Sequence, residues 1–111
     1  MASPLLEEIL ANPADGALRL VYADALLSAG DPRGELIVVD HELARGTGDR
    51  IALGGRRRSL LAAHAHAWWP EIPLERLEVR DGFVVRVAAT QAELVAASRL
   101  FAREPISSVE L

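Results

Sequence analysis

"RLVYADALLSAGDPRGELI", residues 19–37, decides how the chain is read. From Arg19 to Ser28 it is almost wholly apolar, with Arg19 and Asp24 its only charges. Gly30 then stands where the C′ residue of a helix belongs, Asp31 where the next N-cap belongs, and Pro32 at the new N1. This punctuation predicts two helices joined by a corner of one or two residues, which fixes their packing angle. The first of them, from about Asp15 to Ser28, is apolar nearly all round, and such a helix is expected to be central and buried.

Asp24 is the conspicuous residue of that helix. A carboxylate in an apolar setting must be paired, or its pKa rises. Arg33, just past the corner, can fold back toward it, and Arg19 is the second candidate. The expectation is a structural clasp of Asp24 and Arg33 across the corner, with the Tyr22 ring in the core and its hydroxyl at the rim. A general base at Asp24 is the weaker expectation, because structural ion pairs also perturb pKa values.

Working outward, Ser3 and Pro4 suit N-cap and N1 of an earlier helix that sets Leu5, Leu6, Ile9 and Leu10 on one face and ends at Asn12-Pro13. After the corner, a third helix carries Leu36, Ile37, Val39 and Leu43 inward and fades at 46–48. A fourth, from about Asp49 to Ala67, is interrupted by Gly54-Gly55, at about 1 kcal/mol per glycine relative to alanine. Its second half, "RRRSLLAAHAHAWW" (56–69), places Leu60, Leu61, His64 and Trp68 on one stripe.

Past Pro70 the periodicity changes. "LERLEV" (74–79) and "FVVRVA" (83–88) flank Asp81-Gly82, a strong hairpin signal. Thr90 and Glu93 form a capping box, opening a helix with Leu94, Val95, Ser98 and Phe101 toward the core. "ISSVEL" (106–111) reads as a last strand. The expected fold class is therefore α+β: four N-terminal helices packed on a β-β-α-β element, one domain over 1–111 with a helical half (1–69) and a β-β-α-β half (70–111).

The pattern apolar-x-x-apolar-x-apolar occurs at Val84/Val87/Ala89 and again at Ile106/Val109/Leu111, an offset of 22 residues. A strand, a helix and a parallel strand at that period form the unit of a leucine-rich repeat solenoid. The element is expected to resemble the first unit of one.

Composition bounds the function. The chain has 111 residues, half of them hydrophobic and a quarter charged, which suits one globular domain. A net charge of −4 gives no global drive toward nucleic acid. No apolar run approaches the ~20 residues of a membrane span. The N-terminus lacks the basic region of a signal peptide. The absence of cysteine removes disulfides and thiolate chemistry. A cytoplasmic location fits these features.

"LRLVYADALLSAGDPRGELI" (18–37) resembles the signature of the bacterial repeat-companion domain, found N-terminal to leucine-rich-like repeats. The resemblance runs from about Leu5 to Leu111 and takes in "LLAAHAHAWW", "RDGFVVRV" and "PISSVEL". It implies a module that stands beside repeats, and it brings no catalytic or ligand residues with it. Two departures from the family pattern stand out. Ala25 replaces a usual tryptophan, leaving volume to be filled, and Val38 replaces a usual basic residue, putting an apolar group on a wetter face.

Other candidate sites are weak. His64 and His66, at i and i+2 on a helix, point to nearly opposite sides, so one ion cannot take both. His64 is better read as a core-edge histidine bonded to a backbone carbonyl. The serines lack a GxSxG elbow. Arg56, Arg57 and Arg58 follow Gly54-Gly55 without a P-loop signature or a preceding strand, and read as a solvated helix face. Their functional alternative is contact with an anionic ligand or nucleic acid. Trp68-Trp69 is expected to plug the junction between the two halves.

The chain is thus expected to be a non-enzymatic protein-interaction or solenoid-capping module, with no cofactor and no metal. A small hydrolase using Asp24 ranks last. The interaction candidates are Ile106, Ser108, Val109 and Leu111 on the final strand, helped by Val38. With nothing after Leu111, the outer edge of that strand is expected to take a protein partner or a second copy of the chain.

Overall fold

The computed structural model describes residues 4–111. The expected cap at Ser3 lies outside them. Helices α1 (Pro4–Ala11), α2 (Gly16–Ser28), α3 (Arg33–Arg45) and α4 (Arg50–Trp68) come first. A 3-10 turn (Leu74–Arg76), strands β1 (Leu77–Arg80) and β2 (Phe83–Ala88), helices α5 (Gln91–Ala96) and α6 (Ser98–Arg103) and strand β3 (Ser108–Glu110) follow. The fold is α+β, with helices first and a small sheet after them.

Local chemistry accounts for most boundaries. Asp15 caps α2 by accepting the Ala17 and Leu18 N–H groups, and Asp49 caps α4 by accepting those of Ile51 and Ala52. Gly30 takes φ +77° at the end of α2, as the C′ position requires. The Asp31 carboxylate then accepts the Arg33 N–H at 2.9 Å and opens α3. The Thr90–Glu93 capping box forms with both of its bonds.

The corner also packs tightly. A Cβ on Gly34 would stand 2.6 Å from the Ala23 carbonyl oxygen and 2.9 Å from Leu27 Cγ. With Ala23 fully buried, α2 and α3 meet almost backbone to backbone.

The sheet has the order β1-β2-β3. β1 and β2 pair antiparallel through the Asp81-Gly82 turn, with a register shift between Glu78 and Val79. β2 and β3 pair in parallel, Arg86 with Ser108, Val87 with Val109 and Ala88 with Glu110. Each of these pairs differs by 22 residues, so the spacing of the two sequence patterns is also the register of the ladder.

One core joins helices and sheet: Leu36 and Val39 of α3, Leu60 and Leu61 of α4, Val84 and Val87 of β2, and Leu100 of α6. Trp69 is 1 % exposed and belongs to it, filling the junction at the end of α4. A second cluster of Ile9, Ala23, Ile37 and Phe83 ties α1 and α2 to the hairpin.

Three expectations need correction. α2 is not central: Ala23 is its single buried residue, and Val21 is 52 % exposed. The helix lies outside α3, so its apolar far side meets solvent. Gly54-Gly55 does not interrupt α4, which is continuous from Arg50 to Trp68. The capping-box helix breaks at Ala97 (φ −97°, ψ 22°). That break shifts the phase, so Ala97 and Leu100 are buried while Val95 is 73 % exposed and Ser98 and Phe101 are also exposed.

Candidate interaction edge and its ion-pair support

Asp24 is exposed, and Arg33 turns the other way. Its Nη2 donates to both oxygens of Glu104, at 2.8 and 3.2 Å, and its Nε donates to the Gly82 carbonyl oxygen at 2.8 Å. The guanidinium lies over Trp69 (4.9 Å), Phe83 (5.2 Å) and Trp68 (5.6 Å). The expected Asp24–Arg33 clasp is therefore replaced by an Arg33–Glu104 pair inside an aromatic box. Solvent already stabilises Asp24, whereas Glu104 has none and needs the partner. Arg19 bonds Asp81 at 3.1 Å, and the Tyr22 ring stacks on Phe83 with centroids 6.2 Å apart. Burial raises the pKa of the Tyr22 phenol.

These side chains converge on one turn. Gly82 donates its N–H to Asp40 at 2.8 Å while its carbonyl receives Arg33. Arg57 donates to Asp40 at 2.7 Å and to the Val79 carbonyl oxygen at 2.9 Å. Glu104 also accepts the Val84 N–H at 2.8 Å. Burial pushes the Asp40 and Glu104 carboxyls above their ordinary range, and the guanidinium and N–H partners oppose that push. Gly82 itself has φ +79°, and a Cβ there would stand 2.4 Å from Ile37 Cγ1. Only glycine fits.

The arginine run divides. Arg56 is bonded to Glu35, Arg57 serves the hairpin, and Arg58 is exposed. Two of the three guanidiniums proposed for an anion are thus engaged within the chain. His64 is half-buried with its ring stacked on Trp68, centroids 5.1 Å apart, while His66 is exposed. Among the described residues no group of three or more His, Cys, Asp or Glu could hold a metal ion, and no helix is long and apolar enough to cross a membrane. A recess of about 420 Å³ between the end of α4 and residues 70–75 has His66 and Glu75 as its only titratable lining side chains.

The interaction candidates of the C-terminal segment lie in and beside β3. Ala89 N–H donates to the Glu110 carbonyl oxygen at 3.0 Å. Neighbouring residues of a strand direct their peptide groups to opposite sides. The Val109 N–H and C=O and the Leu111 N–H therefore face away from β2, and among the described residues no strand lies beyond β3. Val109 is 42 % and Leu111 85 % exposed, although they share the sheet face of the buried Val87 and Ala89. Ile106 is different, packing against the main core. Val38 is partly buried in the second cluster, so it is neither on a wet face nor part of this edge. Ala25 is exposed and leaves no void.

No protein-family model matches the chain, and no curated protein or solved structure does either.

Proposed function

We propose that the chain is a non-enzymatic protein-interaction module of the repeat-companion kind, whose β3 edge accepts a further strand. The observation that carries this is the parallel β3 strand, beyond which no strand lies among the described residues, with Val109 and Leu111 exposed on the face that is elsewhere the core. Such an edge is a template for strand addition. The interior carboxylates support a structural role, since Asp40 and Glu104 each accept a guanidinium and a backbone N–H.

Duplicating the repeat tests this. A second copy of residues 90–111 appended after Leu111 supplies a strand–helix unit with the same pattern. If the edge is competent, the appended segment folds, Tm rises, and the Val109 and Leu111 amides become protected from hydrogen exchange. An appended segment that stays unstructured and leaves those amides fast would defeat the proposal.

A further inference from the structure

The solvent face of the sheet carries charges that alternate from strand to strand. Glu78 of β1 is the cross-strand partner of Arg86 of β2, and Arg86 bonds Glu110 of β3. From Glu78, which Arg80 also approaches, the order is minus, plus, minus; Arg86 reaches Glu110 on the diagonal, its register partner being Ser108, and the series ends on an acidic residue at the open edge. Opposite charges across neighbouring strands are favourable and like charges are not. We infer that the strand accepted by β3 belongs to another protein and is basic on its outer face. It places lysine or arginine beside Glu110 and apolar side chains beside Val109 and Leu111. The inference rests on the interaction role proposed for β3.

A second copy of the chain fits this edge worse. Residues 106–111 hold no lysine or arginine. Parallel pairing in register would set Glu110 against Glu110. Antiparallel pairing about Val109 would set it against Ser108 and gain no ion pair. The net charge of −4 also favours approach of a basic segment over a copy of the same chain.

Peptide titration followed by NMR separates the outcomes. Three short capped peptides alternate valine with lysine, with serine or with glutamate, and the amides of Val109 and Leu111 report the site. The expected order of affinity is lysine, serine, glutamate, with steps of about two- to fivefold. Glu110→Lys should invert that order, and Glu110→Gln should level it. Equal binding of all three peptides at the edge would overturn the inference while leaving the edge's role intact. A lysine preference that survives Glu110→Lys would overturn it too, as would self-association that excludes every peptide. Absence of binding by any peptide, together with an unstructured appended repeat, would remove the interaction role itself.

Discussion

Arg33 and Glu104, 71 residues apart in sequence, form a two-pronged ion pair at 2.8 and 3.2 Å with the guanidinium roofed by Trp69. Both side chains are largely shielded from water, Glu104 almost completely. Removing one partner of such a pair strands the other. Arg33→Met should cost about 3–5 kcal/mol, and Glu104→Gln a comparable amount. In a double-mutant cycle by urea unfolding, the double variant should lose clearly less than the sum. Asp24→Asn, on the exposed face of α2, should stay within about 0.5 kcal/mol of the parent. Additive losses, or a large effect at Asp24, would contradict this arrangement.

The two close approaches of backbone predict glycine-specific sensitivity. Gly82→Ala meets Ile37 and must also hold a left-handed φ, so it should cost about 2–4 kcal/mol. Gly34→Ala drives a methyl at the Ala23 carbonyl and should cost about 1–3 kcal/mol. Gly54→Ala, on a helix with only the Arg58 side chain near, should be neutral or stabilising. Thermal melts of the three variants check the ranking.

Carboxyl titrations should divide into two groups with opposite effects on stability. Glu93, bonded to Arg76 and to the Thr90 cap, titrates at about 2. Its contribution is fully present above the ordinary glutamate pKa and is lost as pH falls toward about 2. Asp40 and Glu104 titrate above their ordinary values, so the native state holds more protons there than the unfolded chain. Stability therefore falls as pH rises from the ordinary carboxylate pKa through the raised native one. Carbon-detected NMR of the side-chain carboxyls should show Glu93 below the ordinary range and Asp40 and Glu104 above it. Arg76→Gln should return Glu93 toward the ordinary range without moving Glu104.

The arginine run should not make a nucleic-acid site. With Arg56 bonded to Glu35 and Arg57 to Asp40, duplex DNA should show no measurable binding at physiological salt. A log–log salt slope of about 0.9 per phosphate contacted, abolished by replacing Arg56 and Arg58, would reverse this view.

What could be read in the sequence was what is decided locally. The Gly30-Asp31-Pro32 corner, the Asp81-Gly82 turn and the Thr90–Glu93 box each depend on a few neighbouring residues, and all three form. The partner of Arg33 depends on the whole chain: Asp24 is nearer in sequence, but the fold brings Glu104 to it. A signal for Glu104 was nevertheless present. Glu104 lies two residues before Ile106, the start of the pattern that repeats at Val84, and its carboxylate accepts the Val84 N–H. The exposure of α2 is not legible in its sequence, because an alanine- and leucine-rich composition does not reveal which side of a helix has a neighbour.

The grip on the Asp81-Gly82 turn has a kinetic consequence. Its contacts close loops of 42, 49 and 62 residues, from Asp40, Arg33 and Arg19, and Arg57 closes one of 22 to Val79 beside it. Such closures are costly before their contacts form, so they slow folding. Until the turn arrives, α3 and α4 hold Arg33, Asp40 and Arg57 without their hairpin partners. A chain cut between Trp69 and Pro70 would leave those groups in the same position permanently. Helices and sheet should therefore gain and lose structure in one cooperative step, with no folded helical half along the way.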